Sequence, residues 1–229
     1  MLDITVIWKT LGRLATRVPY TITIAFVSIL ISTALAILLS MIKIKKVKIA
    51  SALVELYLSF FRSTPGLIHI LLVYYGLPLV LKPFGIILDA SGKDLYSIAA
   101  LSLSYAANLS EILRPAYLSI DKGQHEAALC AGLSGFQKEY RIILPQVIPI
   151  ALPAMGNAFI ELIKDTSILF VIGLTDIMGS AKNIITNGLG INKVEIYIAA
   201  GLIYLVITTV GNWGNHFLEI KCQKVKKHQ

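Results

Sequence analysis

Three charged side chains stand close together in an apolar part of the chain. Glu161, Lys164 and Asp165 follow at i, i+3 and i+4, the spacing of one helix face, and Thr166 and Ser167 add hydroxyl groups. Inside a membrane each charge would cost at least about 2.5–3.5 kcal/mol, so it should be paired or functional. Two interpretations stay open. The charges form an internal ion pair, or Lys164 and the two acids bind the carboxylate and ammonium ends of a solute.

A second polar group lies earlier in the chain. Asn108, Glu111 and Arg114 are spaced by three residues and share one helix face. Glu111 and Arg114 form a structural salt bridge near the end of a helix, or Asn108 and Glu111 extend the face that meets a solute. No Ser/His/Asp set, HExxH motif or metal-ligand spacing of Cys130 and Cys222 is present. The sequence therefore predicts no catalytic residues, no metal and no cofactor of its own.

The elements that must position these residues are long and apolar. Of 229 residues, 56% are hydrophobic and 15% are charged, whereas a soluble domain carries roughly a quarter charged residues. Because about 20 apolar residues cross a bilayer, the pattern excludes a soluble enzyme, a nucleic-acid binder and a disordered chain. It predicts an all-α membrane protein in contact with the lipid bilayer. About five transmembrane helices are expected, over residues 18–42, 53–80, 95–118, 147–173 and 195–218. Pro65 removes a backbone donor and lets the second helix bend, and Arg62 before it is interpreted as a contact to the cytoplasmic headgroups.

Lysine and arginine counts predict the orientation. One side of the membrane receives 11 of these residues and the other receives 7, and the richer side is cytoplasmic. The N-terminus is then outside, and the C-terminus, with a basic tail over 221–229, is cytoplasmic. The first 17 residues form a short amphipathic helix on the outer surface in this interpretation.

The loop over 119–146 differs from the other loops. Asp121 suits a helix N-cap, Gly132 can end that helix, and Ser134 can cap a second one. The pattern predicts a cytoplasmic helix–turn–helix held between two membrane spans.

This loop carries a family resemblance. Glu126-Ala127-Ala128, Gly132 and Ile142-x-Leu144-Pro145 resemble the EAA loop of ATP-binding-cassette (ABC) importer permeases. Further segments are similar to the polar amino-acid branch, which includes histidine, glutamine, arginine and cystine permeases: Phe61–Pro65, Tyr74–Pro78, Glu111–Arg114, Leu144–Gln146 and Leu162–Ser167. The resemblance covers residues 16–220. Asn108–Glu111 and Pro115 depart from the branch's usual pattern, so the solute can differ from that of close relatives.

The resemblance implies a type I ABC importer permease fold and a set of partners. Separate ATPase subunits would dock on the loop and use the ATP, and a second permease chain, identical or related, would complete the channel. An extracytoplasmic solute-binding protein would deliver the solute, and the location would be a bacterial cytoplasmic membrane. The residues that it implies for ATPase coupling are His125, Glu126, Ala127, Ala128 and Gly132.

The chain itself agrees that ATP is hydrolysed elsewhere. It has no GxxxxGK[ST] phosphate loop, and Ser91-Gly92-Lys93-Asp94 is only a fragment of one. The predicted substrate is a polar amino acid, and a zwitterion such as cystine suits a pathway of both signs. Ile120–Gln124 is also similar to cystine permeases. The alternative is a secondary transporter or channel subunit for a small polar solute.

Overall fold

The computed structural model describes residues 2–86 and 92–226, and every regular element in those ranges is helical. The α-helices are α1 (Ile4–Ala15), α2 (Val18–Ile44), α3 (Lys48–Ser63), α4 (Gly66–Leu71), α5 (Leu77–Leu81), α6 (Lys93–Leu118), α7 (Lys122–Cys130), α8 (Gly135–Lys138), α9 (Leu144–Asp165), α10 (Ile177–Asn187) and α11 (Lys193–Lys226). Wider π turns join α4 to α5 (Leu72–Gly76) and α8 to α9 (Glu139–Ile143). Tighter 3₁₀ turns follow α5 (Lys82–Phe84) and α9 (Thr166–Ile172).

Two expectations partly fall outside this description. Ser91 of the phosphate-loop fragment is not among the described residues, and neither are residues 227–229 of the predicted tail. The first part of that tail, 221–226, is the end of α11.

The short helix expected within the first 17 residues is α1. The Asp3 carboxylate caps it by accepting a hydrogen bond from the Thr5 N–H at 2.9 Å. Leu14 is fully buried in a cluster with residues of α10 and α11, whereas Lys9 and Arg13 are exposed. The helix is therefore amphipathic, and its apolar side packs against α10 and α11.

The centre of the bundle is the contact between α2 and α6, which run side by side in parallel. Small residues of α2 recur every three or four positions on the buried face: Thr21, Ala25, Ser28, Ser32, Ala36 and Ser40. Small side chains let two helix backbones approach closely in a membrane. Helix α9 packs on α6 from another side, and α11 packs on α9.

Four stretches are long and apolar enough to cross a membrane: Val18–Ile44, Gly66–Phe84, Gly135–Ile172 and Lys193–Cys222. The remaining predicted span, 95–118, forms α6. Its 26 residues give a length of about 39 Å, although it is more polar than the others. Tyr105 and most of its serines and alanines are buried against neighbouring helices, so α6 does not need an apolar surface against lipid.

The span predicted over 53–80 is divided into two helices at the proline where a bend was expected. Helix α3 ends at Ser63, Thr64 and Pro65 are extended, with ψ of 148° and 141°, and helix α4 starts at Gly66. The proline ring disfavours the α conformation of the residue before it, which accounts for the break. The apolar crossing begins only after this break, at Gly66.

The span predicted over 147–173 is longer than expected. Its helical path begins in the loop at Gly135 and continues to Ile172. Pro149 and Pro153 lie inside α9 without ending it. The loop-side part of this helix therefore belongs both to the predicted helix–turn–helix and to the membrane span.

Candidate functional site

A pocket opens where α3 breaks into α4. Its volume is about 340 Å³, and α6 and α9 form its other walls. The residues that line it are Phe61, Arg62, Thr64, Gly66, His69, Ser104, Tyr105, Asn108, Glu161 and Asp165. Ser104 lies 11 residues after the start of α6, or about 17 Å along the helix. The pocket therefore lies beside the middle of α6 and the end of α9.

Two carboxylates of α9 face this pocket. Asp165 accepts a hydrogen bond of 2.8 Å from the Tyr105 hydroxyl of α6. Glu161, one turn earlier, is exposed on the isolated chain, and so is Asp165. Among the residues that the structure describes, neither carboxylate has a lysine, arginine or histidine nitrogen within 4.0 Å. Both can therefore accept a cationic group from outside the chain.

The residues predicted to bind a solute separate into two sets. Asn108, Glu161 and Asp165 line the pocket together. Lys164 is exposed but does not line it, and within the described ranges it makes no ion pair with either acid.

The two hydroxyl residues after Asp165 also lie outside the pocket lining. The Thr166 hydroxyl is buried and donates to the Ile163 carbonyl at 2.7 Å. Ser167 is half-buried. Their proposed contact with a solute stays a prediction.

His69 holds the broken helix against α6. Its side chain is buried, and its Nε2 and Nδ1 atoms lie 2.6 Å from the Thr64 hydroxyl and 2.9 Å from the Ser104 hydroxyl. The rings of Phe60 and Phe61 pack against the imidazole, with centroids 5.9 and 4.7 Å away. Both ring nitrogens are used within the chain, so His69 acts as a packed structural residue that fixes one wall of the pocket.

Glu111 lies in a cluster of cations on the loop side of the pocket. Its carboxylate is 3.3 Å from Lys43 Nζ, 3.5 Å from an Arg62 nitrogen and 3.7 Å from an Arg114 nitrogen. Lys43 also contacts Glu55 at 2.8 Å. The i, i+3 pair with Arg114 was predicted, but Lys43 and Arg62 come from other helices and no local spacing indicates them. The cluster joins α2, α3 and α6.

The loop after α6 is a helix–turn–helix, as predicted. The Gly123 N–H donates to the Asp121 carboxylate at 2.6 Å, and Gly132 has a φ of 78° where the chain reverses after α7. The Leu133 N–H then donates to the Ala128 carbonyl at 3.2 Å, which closes the helix end. Ser134 caps α8 in a reciprocal pair of hydrogen bonds with Gln137.

The coupling residues implied by the resemblance divide between two faces of α7. Ala128 is buried, and the His125 ring packs near Tyr117 of α6 with centroids 5.6 Å apart. Glu126 and Ala127 are exposed. The outward face of α7 is therefore available to a partner.

Sequence reasoning missed several residues that line the pocket. Tyr105 and Ser104 belong to a predicted span but are neither charged nor part of a motif, and Arg62 was interpreted as a headgroup contact. Pro65, where a bend was expected, was the one sequence signal that α3 and α4 lie near the pocket. In the described part of the chain, no group of three His, Cys, Asp or Glu residues is placed to hold a metal ion.

Comparisons with known proteins agree with this architecture. The L-cystine transport system permease protein TcyL of Bacillus subtilis is 36% identical over 99% of this chain and 93% of its own length. The nopaline transport system permease protein NocM of Agrobacterium fabrum is 38% identical over 91% of this chain and 87% of its own length. Both relatives are named as permease proteins rather than ATPases.

Solved structures share the fold. The crystal structure of an amino acid ABC transporter with histidines superposes with a TM-score of 0.81 and 27% identity, covering 96% of this chain and 99% of that one. An inward-facing structure of the MetNI methionine ABC transporter has a TM-score of 0.66 at 18% identity, which shows the fold alone. At the level of sequence, residues 29–223 match the family described as the binding-protein-dependent transport system inner membrane component. The chain therefore belongs to that family, as a multi-pass permease subunit of ABC importers.

Proposed function

We propose that this chain forms one half of the channel of an ATP-driven importer, and that its pocket binds a polar amino acid during translocation. The observation that carries the proposal is the pair Glu161 and Asp165. Both carboxylates line the pocket beside the middle of α6, and both are exposed on the isolated chain without a cationic partner within the described residues.

Membrane energetics support a water-filled surrounding for these acids. A charge at the bilayer centre costs at least about 2.5–3.5 kcal/mol and should face a cavity or a protein partner rather than lipid. Transporter solutes commonly bind near the midplane, at helices with interrupted backbone. The break at Thr64–Pro65 places such an interruption beside Glu161 and Asp165.

The chemistry of the pocket suits an amino acid. The carboxylates of Glu161 and Asp165 can bind an α-ammonium group, and the Asn108 amide can both donate and accept. The relatives named above transport cystine and nopaline, and an arginine permease of Bacillus subtilis is 37% identical over 83% of the chain. These solutes all carry an amino-acid group. Within this class we propose a zwitterion such as cystine for this chain.

Coupling to ATP hydrolysis is assigned to the outward face of α7. Family membership implies ATPase subunits, a solute-binding protein and a second permease chain. We place the ATPase at Glu126 and Ala127, with Gly132 setting the direction of α7 and His125 fixing its packing. This arrangement requires the loop side to be cytoplasmic, as the basic residue count favours, so that α1 lies outside.

An uptake experiment tests the pocket. Glu161→Gln and Asp165→Asn should each lower ATP-dependent uptake of L-cystine or L-arginine in vesicles by at least about tenfold, since each removes an ion contact worth about 1.5–3 kcal/mol. Glu219→Gln, an acid of α11 outside the pocket lining, is the matched control and should transport normally. Uptake at the wild-type rate by both pocket variants would refute the assignment.

The same assay separates the alternative function. A secondary transporter would take up the solute together with a coupled ion, and a channel would pass it down its own concentration gradient. Neither would need ATP in the vesicle or the solute-binding protein. An importer subunit requires both. Uptake that persists when ATP is removed would favour the alternative.

A further inference from the structure

We propose that Arg62 recognises the carboxylate of the transported amino acid, and that Glu111 holds the Arg62 guanidinium at the edge of the pocket when no solute is bound. This inference rests on the proposed function of the pocket, whose ammonium side is formed by Glu161 and Asp165.

The position of Arg62 allows this role. It lies in the last turn of α3, two residues before the break at Thr64, and it lines the pocket together with Glu161 and Asp165. Its side chain is 57% exposed. It is also the only lysine or arginine among the pocket-lining residues of the described chain. A pocket with two carboxylates and no cation would repel the carboxylate of an amino acid, and Arg62 supplies that cation.

The single contact that Arg62 makes leaves it available. Its Nη1 lies 3.5 Å from Glu111 Oε2, longer than the roughly 2.7–2.9 Å of a strong charge-assisted hydrogen bond. No other acid of the described ranges lies within 4.0 Å of it. A guanidinium has five N–H donors in a planar fork, which matches a carboxylate in bidentate fashion. Among the described residues, the Glu111 carboxylate is the one acid that these donors contact.

Release of Arg62 would not leave Glu111 alone. Lys43 and Arg114 stay within 3.3 and 3.7 Å of the Glu111 carboxylate. The cluster can therefore give up one of its three cations to a solute and keep its remaining charges paired. Glu111 in this proposal is a positioning residue, acting through Arg62 rather than on the solute.

With Arg62 the pocket selects a narrower class of substrate than Glu161 and Asp165 would select by themselves. Glu161 and Asp165 would bind any amine, but Arg62 adds a requirement for a carboxylate at the other end of the pocket. The site should therefore prefer a zwitterionic α-amino acid over the amine that results from removing its carboxylate.

The test is direct binding to the purified permease–ATPase complex without the solute-binding protein. The panel is the twenty L-amino acids and L-cystine, and the tightest ligand is compared with its decarboxylated amine, for example cystamine for cystine or agmatine for arginine. In wild type the amino acid should bind more tightly. Arg62→Gln should weaken amino-acid binding by at least about tenfold and leave amine binding within about twofold.

Arg114→Gln is the matched control. Arg114 is also an arginine whose guanidinium contacts the Glu111 carboxylate, but it does not line the pocket. In this variant amine affinity should stay at the wild-type level, and amino-acid affinity should fall much less than in Arg62→Gln, because Lys43 still pairs with Glu111. If Arg62→Gln weakens the amino acid and the amine equally, or weakens neither, the proposal is overturned. A wild-type complex that binds no member of the panel overturns the proposed function of the pocket itself.

A second variant covers the case in which Arg62→Gln does not assemble with the ATPase. Arg62→Lys keeps the charge but has no planar fork, so amino-acid affinity should fall severalfold while amine affinity stays unchanged. An equal change in both, or no change in either, overturns the proposal in the same way.

Discussion

The α2–α6 contact and the pocket face of α9 both place polar groups inside the membrane, but they satisfy them differently. In the contact, the Ser32 and Ser40 hydroxyls donate to the carbonyls of Ser102 and Ser110, each at 3.1 Å. On α9, Glu161 and Asp165 face a pocket and have no cationic partner within the described chain. The first region uses polar groups to hold helices together, and the second keeps them for a group that is not part of the chain.

The comparison predicts which substitutions damage the protein and which damage only transport. Changes in the α2–α6 contact should lower stability, because the Ser32, Ser40 and Ser102 hydroxyls there donate to carbonyls of the neighbouring helix. Substitutions of Glu161 and Asp165 in the pocket should leave stability unchanged, because these carboxylates form no ion pair with the described residues. The predictions below run from the largest expected loss of stability to the smallest.

The largest loss is expected for Ser32→Leu. Ser32 is fully buried between α2 and α6, so a leucine must force the two helices apart and also removes the hydrogen bond to the Ser102 carbonyl. Overpacking of this kind costs about 3 kcal/mol. The thermal midpoint of the detergent-purified complex and its yield from membranes measure the effect.

Ser32→Ala is the control for the steric part. It removes one interhelical hydrogen bond, worth about 0.6 kcal/mol in a membrane protein, and leaves the spacing unchanged. A leucine variant as stable as the alanine variant would show that α2 and α6 are not closely packed at Ser32. It would contradict the statement that this contact holds the two helices together.

A smaller loss is expected for Gly156→Ala, on the side of α9 that packs against α11. A Cβ atom at Gly156 would lie 2.0 Å from Asn215 Oδ1, so Asn215 must move. Its amide donates to the Pro153 carbonyl at 2.9 Å and to Asn157 Oδ1 at 2.8 Å. Displacing it should cost about 1–2 kcal/mol.

A double-mutant cycle checks the cause. Asn215→Ala removes the obstacle, so Gly156→Ala should cost much less in that background. Equal costs in both backgrounds would mean that α9 and α11 do not meet as closely as the structure shows. A thermal unfolding series of the four proteins measures the coupling.

The sequence predicted these regions unequally, for physical reasons. The membrane spans depend on long apolar runs, and the helix–turn–helix depends on the backbone preference of Gly132. Both are local features, so both elements could be predicted from the sequence. The span over 53–80 was expected to bend at Pro65, but it is divided into two helices. The proline keeps Thr64 extended, and this local effect outweighs the apolar pattern.

The pocket was harder to predict because its walls come from distant segments. Glu161 and Asp165 were identified by helical spacing, and the same spacing included Lys164, which points away from the pocket lining. Arg62 and Tyr105 join the site only when α3, α6 and α9 pack together. Spacing along one helix contains no information about such contacts between helices.

The coupling loop resembles the pocket in presenting groups to an outside partner, and Gly132→Val tests it. Gly132 has a φ of 78°, a conformation that costs a residue with a side chain roughly 1 kcal/mol or more. The variant should insert normally but lose solute-stimulated ATP hydrolysis, because α7 is misdirected. Gly135→Ala is the control, since a Cβ there meets no atom within 4 Å. Wild-type ATPase stoichiometry and stimulated turnover in Gly132→Val would contradict the coupling assignment.

The smallest loss of stability is expected for Glu161→Gln and Asp165→Asn. Both side chains are exposed on the chain, and substitutions at such positions usually change stability by no more than about 0.5 kcal/mol. The asparagine oxygen can still accept from the Tyr105 hydroxyl, which donates to Asp165 at 2.8 Å. The thermal midpoint of each purified complex should therefore match wild type, although uptake is lost. A thermal midpoint lowered as far as in Gly156→Ala would mean that the carboxylates stabilise the fold. The pocket and the α2–α6 contact would then use their polar groups in the same way.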